Sequence, residues 1–466
     1  MPGESRVVPS PLTMCCLITG ALRGYSMADI QPFRMVHYDR KFAKELDRLI
    51  TPPYDVISPE QQESYYAAHE FNIIRLVLGK QYADDGQDNN RYTRANATLR
   101  EWLDKGILTW ENIPGLAVYQ MEFEQPEHGS RSIDGIICLV KVDDYGEGKV
   151  LPHEKTYKGP KQDQLDLLRS CHANFTAIHA LFSDEPHTIS DAYSPHIRRP
   201  ADQETRDRNG TIHRIWNIYD SGVIERLQRV FDQKSLFIAD GHHRYETALA
   251  YKAEMRSAGH TGPSEPHNYV MMYLTSMSHP GLTILPAHRM VKGLRDLNVS
   301  RLLKELEPYF YIEELSFAAA DRESTFRTFV ERIESYSGVG GEFGMMVHGE
   351  QCFRLLRLKD FETAESLVNA SIPSVLRGLD VTILREVIMN HGLGMDGENA
   401  EGKIEYTPLV GEALNKVTEG EIQIGFILNP TRVDQMRTAA ELGHKLPQKS
   451  TYFYPKLSSG LVLRVF

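Results

Sequence analysis

Cysteine is scarce in this 466-residue chain. The five present, Cys15, Cys16, Cys138, Cys171 and Cys352, are odd in number and lack CxxC spacing. Neither a disulfide framework nor a zinc knot is expected, and a reducing cytoplasm suits the chain best. Excess positive charge is also missing. Basic residues number 52 against 63 acidic, for a net charge of −11, which argues against general binding to nucleic acid or to an anionic membrane and leaves room only for a local basic site. No apolar run approaches the roughly 20 residues of a membrane span. The G-x-x-x-x-G-K-[ST] loop, H-E-x-x-H, G-x-S-x-G and the protein-kinase set are all absent, which disfavours a conventional kinase, zincin or lipase. Internal repeats and low-complexity tracts are missing as well.

What is present is ordinary for a globular chain. Hydrophobic content is 41% and charged content 25%, and the length suggests about two or three domains. Residues 1–26 stand apart and read first as an extended or misassigned start, with a cleaved leader or an ordered arm as the alternatives. Leu12 to Leu22 imitates a signal-peptide core, but Glu4 cancels Arg6 in the leader. Residues 27–290 are expected to form an α/β core that holds the site, and 291–466 a C-terminal α/β region that lends a pocket-lining segment.

The element pattern is mixed α/β, closer to α+β than to a doubly wound sheet. Ser58-Pro59-Glu60-Gln61 reads as a capping box opening a helix to about His69. Ile73–Leu78 is expected as a strand and Tyr92–Lys105 as a helix, followed by a hairpin of 116–123 and 133–142. Strands at 269–274, 282–285, 343–347 and 352–358 and a helix at 379–391 complete the expected elements.

Four segments carry candidate chemistry. In Ile238-Ala239-Asp240-Gly241-His242-His243-Arg244-Tyr245 an apolar strand ends, glycine allows a tight turn and a helix begins. Free N–H groups and the helix dipole there favour an anion, and Arg244 adds a cationic fork suited to phosphate. Asp240 is a candidate ligand for a metal ion, or an orienter of His242 or His243. The plainer reading is a capped turn with surface histidines.

The second segment, around His153-Glu154-Lys155 and on to Arg169, gathers Lys155, Lys158 and Lys161 before or at a helix start opened by Gly159-Pro160. Lysines there suit the helix dipole poorly unless an anion lies between them. Glu154 beside His153 is a candidate general base or metal ligand; a solvated charged loop is the alternative. Thr51-Pro52-Pro53-Tyr54-Asp55-Val56-Ile57-Ser58 reads first as a stiff connector and second as a loop holding a functional side chain. Leu446 to Lys456 mixes cationic, hydroxyl and aromatic groups between prolines, fit for lining a pocket or for an edge strand.

PPYDVIS at 52–58, HEKTYKGPKQDQLDLLRSCHANFTAIHAL at 153–181, IADGHHRYETAL at 238–249, LPAHRM at 285–290 and PQKSTYFYPKLSSGLV at 447–462 together resemble the DUF1015 family, from about Ile30 to Phe466. The DGHHRY element is in turn similar to the phosphate-binding turn of the ParB/sulfiredoxin-like superfamily, whose members bind ATP, ADP or CTP and some of which phosphorylate free serine. That resemblance implies a nucleotide-binding core. His242 stands where sulfiredoxins carry a cysteine, which disfavours sulfinic-acid repair.

The expected function is a small-molecule kinase using ATP or ADP with Mg²⁺, its acceptor a hydroxyl of a small molecule such as free L-serine. Gly241, His242, His243 and Arg244, with Lys155 and Lys161, are assigned to nucleotide phosphates. Glu154 is the expected base, His153 a proton or phosphate partner, and Asp240 a catalytic or magnesium-ligating group. The rivals are a non-catalytic nucleotide-binding regulator and a metal-dependent hydrolase built on Asp240, His242, His243 and His153.

Overall fold

The structure, a computed structural model, describes residues 28–466 apart from 126–128, 146–149, 155–157, 185–186, 339, 397–399 and 401, and apart from the side chains of 158–160. The start 1–26, Lys155 and the side chain of Lys158 therefore lie outside the described residues. The chain is mixed α/β, as its element pattern implies.

Residues up to Ser276 build a nine-stranded sheet. Its order is Val150–Leu151, Leu236–Asp240, Ile178–Phe182, Tyr269–Ser276, Gly129–Lys141, Leu116–Gln125, Ile212–Ile218 and Gln203–Arg206, with Ile30–Gln31 pairing on Gly129–Lys141. Two of these contacts are parallel, Leu236–Asp240 with Val150–Leu151 and Tyr269–Ser276 with Ile178–Phe182; the others are antiparallel. Strand side chains alternate between faces. Leu116, Val118, Ile136, Cys138, Val270 and Met272 pack on one side with Ile224, Leu227 and Tyr245. Ala117, Tyr119, Ile137, Met271 and Tyr273 pack on the other with Leu457, Leu461 and Val462 from the far end of the chain.

Between Ser276 and His288 the chain passes to a second, six-stranded sheet, ordered Phe310–Ser316, Cys352–Leu358, Glu342–Val347, Ile424–Leu428, His288–Val291 and Ile404–Thr407. Its core does not stop at its own boundary. Phe237, Ala239 and Leu181 of the first sheet and Leu446 and Phe453 of the C-terminal segment belong to the same apolar cluster as Phe343, Met345, Phe426 and Val387. The strand Tyr452–Tyr454 returns to pair with Thr283–Leu285, and Arg464–Val465 pairs with Ala173–Asn174. The end of the strand Leu236–Asp240 thus lies where both sheets and the C-terminal segment meet.

Local expectations fare unevenly. The Ser58 capping box forms and opens the helix Pro59–Ala68. The helices Arg91–Asp104 and His242–Ser257 and the hairpin Leu116–Gln125 with Gly129–Lys141 match their sequence signals closely. Ile73–Leu78 is a correction: Ile74–Val77 is a short helix, not a strand. A fully apolar run has no period to read. Here the Asn72 side chain accepts from the Ile74 N–H and sets a helical start, while Ile74, Leu76 and Val77 pack among Leu49, Leu99 and Trp102. The helix expected at 379–391 is present but changes from α over Asp380–Ile383 to π over Leu384–Gly392.

Candidate anion-binding and proton-transfer site

The strand Leu236–Asp240 pairs antiparallel with Ile178–Phe182, and the register slips between Ile238 and Asp240. Such an irregularity re-aims a strand-end side chain, and here it presents Asp240 beside the turn. Gly241 follows with φ +93, the left-handed region that glycine enters without cost. A Cβ at this position would come within 2.9 Å of the Arg244 guanidinium, which folds back over the turn. The 16-residue helix His242–Ser257 then begins with no side chain capping it. A helix start of this kind can take an anion on its first N–H groups.

Two cations bracket Asp240. Lys456 Nζ lies 2.5 Å from Oδ1 and Arg244 Nη2 lies 2.7 Å from Oδ2. Arg244 Nη1 also donates to the Ala177 carbonyl. Despite burial, the charges of Lys456 and Arg244 hold the Asp240 carboxyl well below the usual carboxylate range, and Asp240 in turn raises Lys456. Lys456 additionally stacks 4.4 Å over the Tyr452 ring.

Glu154 stands in a different environment. The segment His153–Glu154 runs beside Leu446, whose N–H donates to the His153 carbonyl at 2.6 Å. The Lys449 N–H donates to Glu154 Oε1 at 3.0 Å. Desolvation outweighs that bond and pushes the Glu154 carboxyl up to about 7. A carboxyl titrating near neutrality can take a proton from a hydroxyl and return it, the property a general base needs.

The first loop joins the same place. Burial and the neighbouring Asp55 raise the Tyr54 hydroxyl, while Arg244 pulls it back. Asp55 lies within electrostatic reach of Lys456, Tyr452 and His243. Tyr54, Arg244, Thr176 and Thr247 line a cavity of about 50 Å³ behind the turn. Segments 51–58, 153–154, 240–245 and 446–456 therefore converge.

The histidines are placed for structure. His153 is fully buried, its Nδ1 donates to the Ile238 carbonyl, and its Nε2 accepts the Thr451 hydroxyl at 2.9 Å. The His153 N–H donates to His242 Nε2 at 3.3 Å, and the two rings pack edge to face at 4.6 Å. Burial holds both rings neutral, His153 down to about 4. Both His153 ring nitrogens are used, so it positions the turn. His243 is half-buried and feels Glu246, Asp55 and Lys161. Lys161 forms an ion pair with Glu246 on the helix His242–Ser257. His179 is buried beside Phe453 and within electrostatic reach of Asp240; burial lowers it to about 3.

Asp240, His153 and His242 as placed do not offer themselves to a metal ion. Both Asp240 oxygens are held by cations, the His153 nitrogens and His242 Nε2 are hydrogen-bonded within the chain, and no group of three metal-ligating side chains occurs among the described residues. Mg²⁺ favours one or two free carboxylates together with substrate phosphates.

Lys456, Tyr54 and Asp55 are the site residues that sequence reasoning did not assign. Their signal lies in PPYDVIS and PQKSTYFYPK, whose composition does not choose between connector, edge strand and pocket wall. Among the described residues no helix is long and apolar enough to cross a membrane.

A family model described as a protein of unknown function, DUF1015, matches residues 30–382. No curated protein matches in sequence. Among solved structures, a conserved hypothetical protein from Pyrococcus furiosus is similar at 14% identity and TM-score 0.32, covering 69% of this chain and 93% of that one. A free serine kinase in complex with AMP is similar at 15% identity and TM-score 0.32, covering 70% and 91%. SbnI with a C-terminal truncation, from Staphylococcus aureus, is similar at 11% identity and TM-score 0.32, covering 71% and 82%.

Proposed function

The chain belongs to the DUF1015 family, and from its own geometry we propose that it is a nucleotide-dependent small-molecule kinase with a hydroxyl acceptor, free L-serine being the acceptor to test first. The observation that carries this reading is the meeting of four chain-distant segments at Asp240. There an uncapped helix start flanked by Arg244 and Lys456 stands beside a carboxyl that titrates near neutrality.

Phosphoryl transfer needs positioning, charge neutralisation and a group that orients the attacking hydroxyl. In this reading the N–H groups of His242 and His243, the Gly241 turn and the Arg244 fork take the phosphates of ATP or ADP. Lys155 and Lys161 add cationic contacts, Lys161 by exchanging Glu246 for phosphate. Asp240 keeps Arg244 and Lys456 aimed, and Glu154 accepts the acceptor's proton. Nucleotide core and C-terminal region divide near residue 290, and the latter completes the site. The likeness of the turn to ParB/sulfiredoxin-like proteins supports the same assignment. The test is ³¹P NMR of protein, L-serine and ATP or ADP. A phosphoserine resonance is expected, and its absence with nucleotide bound would overturn the kinase.

One observation favours a regulator as the second reading. Arg244, Lys456 and Lys161 are all already paired within the chain, so an arriving phosphate would exchange partners, a change that a ligand-controlled switch can use. Tight nucleotide binding without product would support that reading.

A further inference from the structure

The LPAHRM segment, 285–290, has no part in the site so far. It follows directly on the strand Thr283–Leu285, which pairs with Tyr452–Tyr454, and it opens the strand His288–Val291 of the second sheet. Arg289 is 6% exposed on that strand. A buried guanidinium ordinarily has a carboxylate partner, because desolvating an unbalanced charge is costly. Arg289 has none: among the described residues no carboxylate lies within ion-pair distance. Its one hydrogen bond goes from Nη1 to the Ala287 carbonyl, and its plane lies 5.2 Å over the Tyr406 ring. Three further N–H donors on Nε and Nη2 thus have no acceptor among the described residues. The charges that reach it are Glu154, which favours its charged form, and Arg385, which opposes it; burial outweighs both and brings Arg289 down to about 10.

Lys456 and Arg244 offer an instructive contrast, since both are comparably enclosed and both are neutralised by Asp240. Arg289, within electrostatic reach of Glu154, has no such carboxylate partner among the described residues. A planar fork with free donors matches the two oxygens of a carboxylate. Its placement on the Glu154 side, with the uncapped helix start already supplied with Arg244 and Lys456, assigns it to the acceptor and not to the nucleotide.

We propose that Arg289 binds the carboxylate of the acceptor, so that the substrate class is a small hydroxy acid whose hydroxyl faces Glu154 while its carboxylate lies in the Arg289 fork. This rests on the reading of Glu154 as the base acting on the acceptor hydroxyl. Arg289 is then a specificity-determining residue, and the second sheet supplies it.

The experiment measures equilibrium binding by calorimetry to the full chain without nucleotide, using L-serine and glycerate against ethanolamine and ethylene glycol, which lack the carboxylate, and ADP binding separately without acid. Wild type should bind the two acids at least about tenfold more tightly than their counterparts, and Arg289→Gln should erase that preference while ADP affinity stays within about twofold. Arg289→Lys keeps the charge but loses the fork, so it should retain the preference with weaker binding; it decides the matter if the glutamine variant does not fold. Equal binding of acids and counterparts, no binding of either acid to wild type, or unchanged acid binding in the variants would each overturn the proposal. So would a loss of ADP or ATP affinity with acid binding intact, which would assign the fork to phosphate. Acid binding through Arg289 without any phosphorylated product would sink the kinase and leave Arg289 as a carboxylate-binding residue. Product from ethanolamine at the serine rate would do the reverse.

Discussion

Asp240 and Glu154 belong to one site, yet their surroundings push them in opposite directions. Asp240 is bracketed by Lys456 and Arg244 and stays ionised far into acid. Glu154 receives a backbone N–H from Lys449, and desolvation carries it up to about 7. Two carboxyls separated in this way take different roles: one is a fixed charge, the other a proton carrier. The difference comes from what the C-terminal segment delivers to each. Lys456 brings a side-chain charge to Asp240, whereas Lys449 brings Glu154 a backbone group, with its own charge only a lesser influence.

The largest effect should come from removing the proton carrier. Glu154→Gln is expected to lower turnover by about 10²- to 10⁴-fold, the usual worth of a general base, with nucleotide affinity within about twofold in calorimetry. Equal losses in binding and turnover would make Glu154 a phosphate contact and erase the contrast. Next is Lys456→Met, which leaves Asp240 half-balanced in a position where Asp240 and Lys456 are 17% and 15% exposed. Removing one partner of an enclosed pair costs about 3 kcal/mol, so the urea midpoint should fall while Asp240→Asn in the same background restores part of it. No rescue would show that Lys456 stabilises through Tyr452 instead.

The pH dependence has a sign for each carboxyl. Glu154 has a folded value raised above 4.5, so its contribution to stability is present below about 4.5 and is lost as pH rises through about 7. Asp240 has a depressed folded value, so its contribution is present above about 3.8 and is lost only as pH falls towards that lower value. Turnover should therefore rise with pH through an apparent value near 7, and the stability slope across pH 4.5 to 7 should flatten in Glu154→Gln. An unchanged slope would place the titration elsewhere. The smallest effect expected is that of Gly241→Ala. Its left-handed conformation and the 2.9 Å approach to the Arg244 guanidinium should cost about 1–2 kcal/mol and weaken nucleotide binding by moving the fork. Unaltered affinity would mean that Arg244 does not hold phosphate.

Much of the local structure could be read from sequence because its causes are local. Ser58 and Gln61 cap each other three residues apart, and Gly241 marks the turn between an apolar strand and a helix. The fold class followed from hairpins mixed with helices. Other features depend on tertiary partners. The apolar run at 73–78 offers no period, and only the Asn72 bond and the surrounding core make it helical. The register slip before Asp240 depends on its neighbour strand, and Lys456 reaches Asp240 across 216 residues. His153 looked reactive beside Glu154, but its burial against Ile238 and Thr451 is invisible until the chain folds.

The contrast between the two carboxyls is open to direct measurement. Carboxyl-¹³C NMR of protein labelled at glutamate, with the Glu154 resonance assigned by its disappearance in Glu154→Gln, should show that carboxyl titrating near pH 7. Titration at the ordinary glutamate value, about 4.3, would contradict the account and leave the site without its proton carrier.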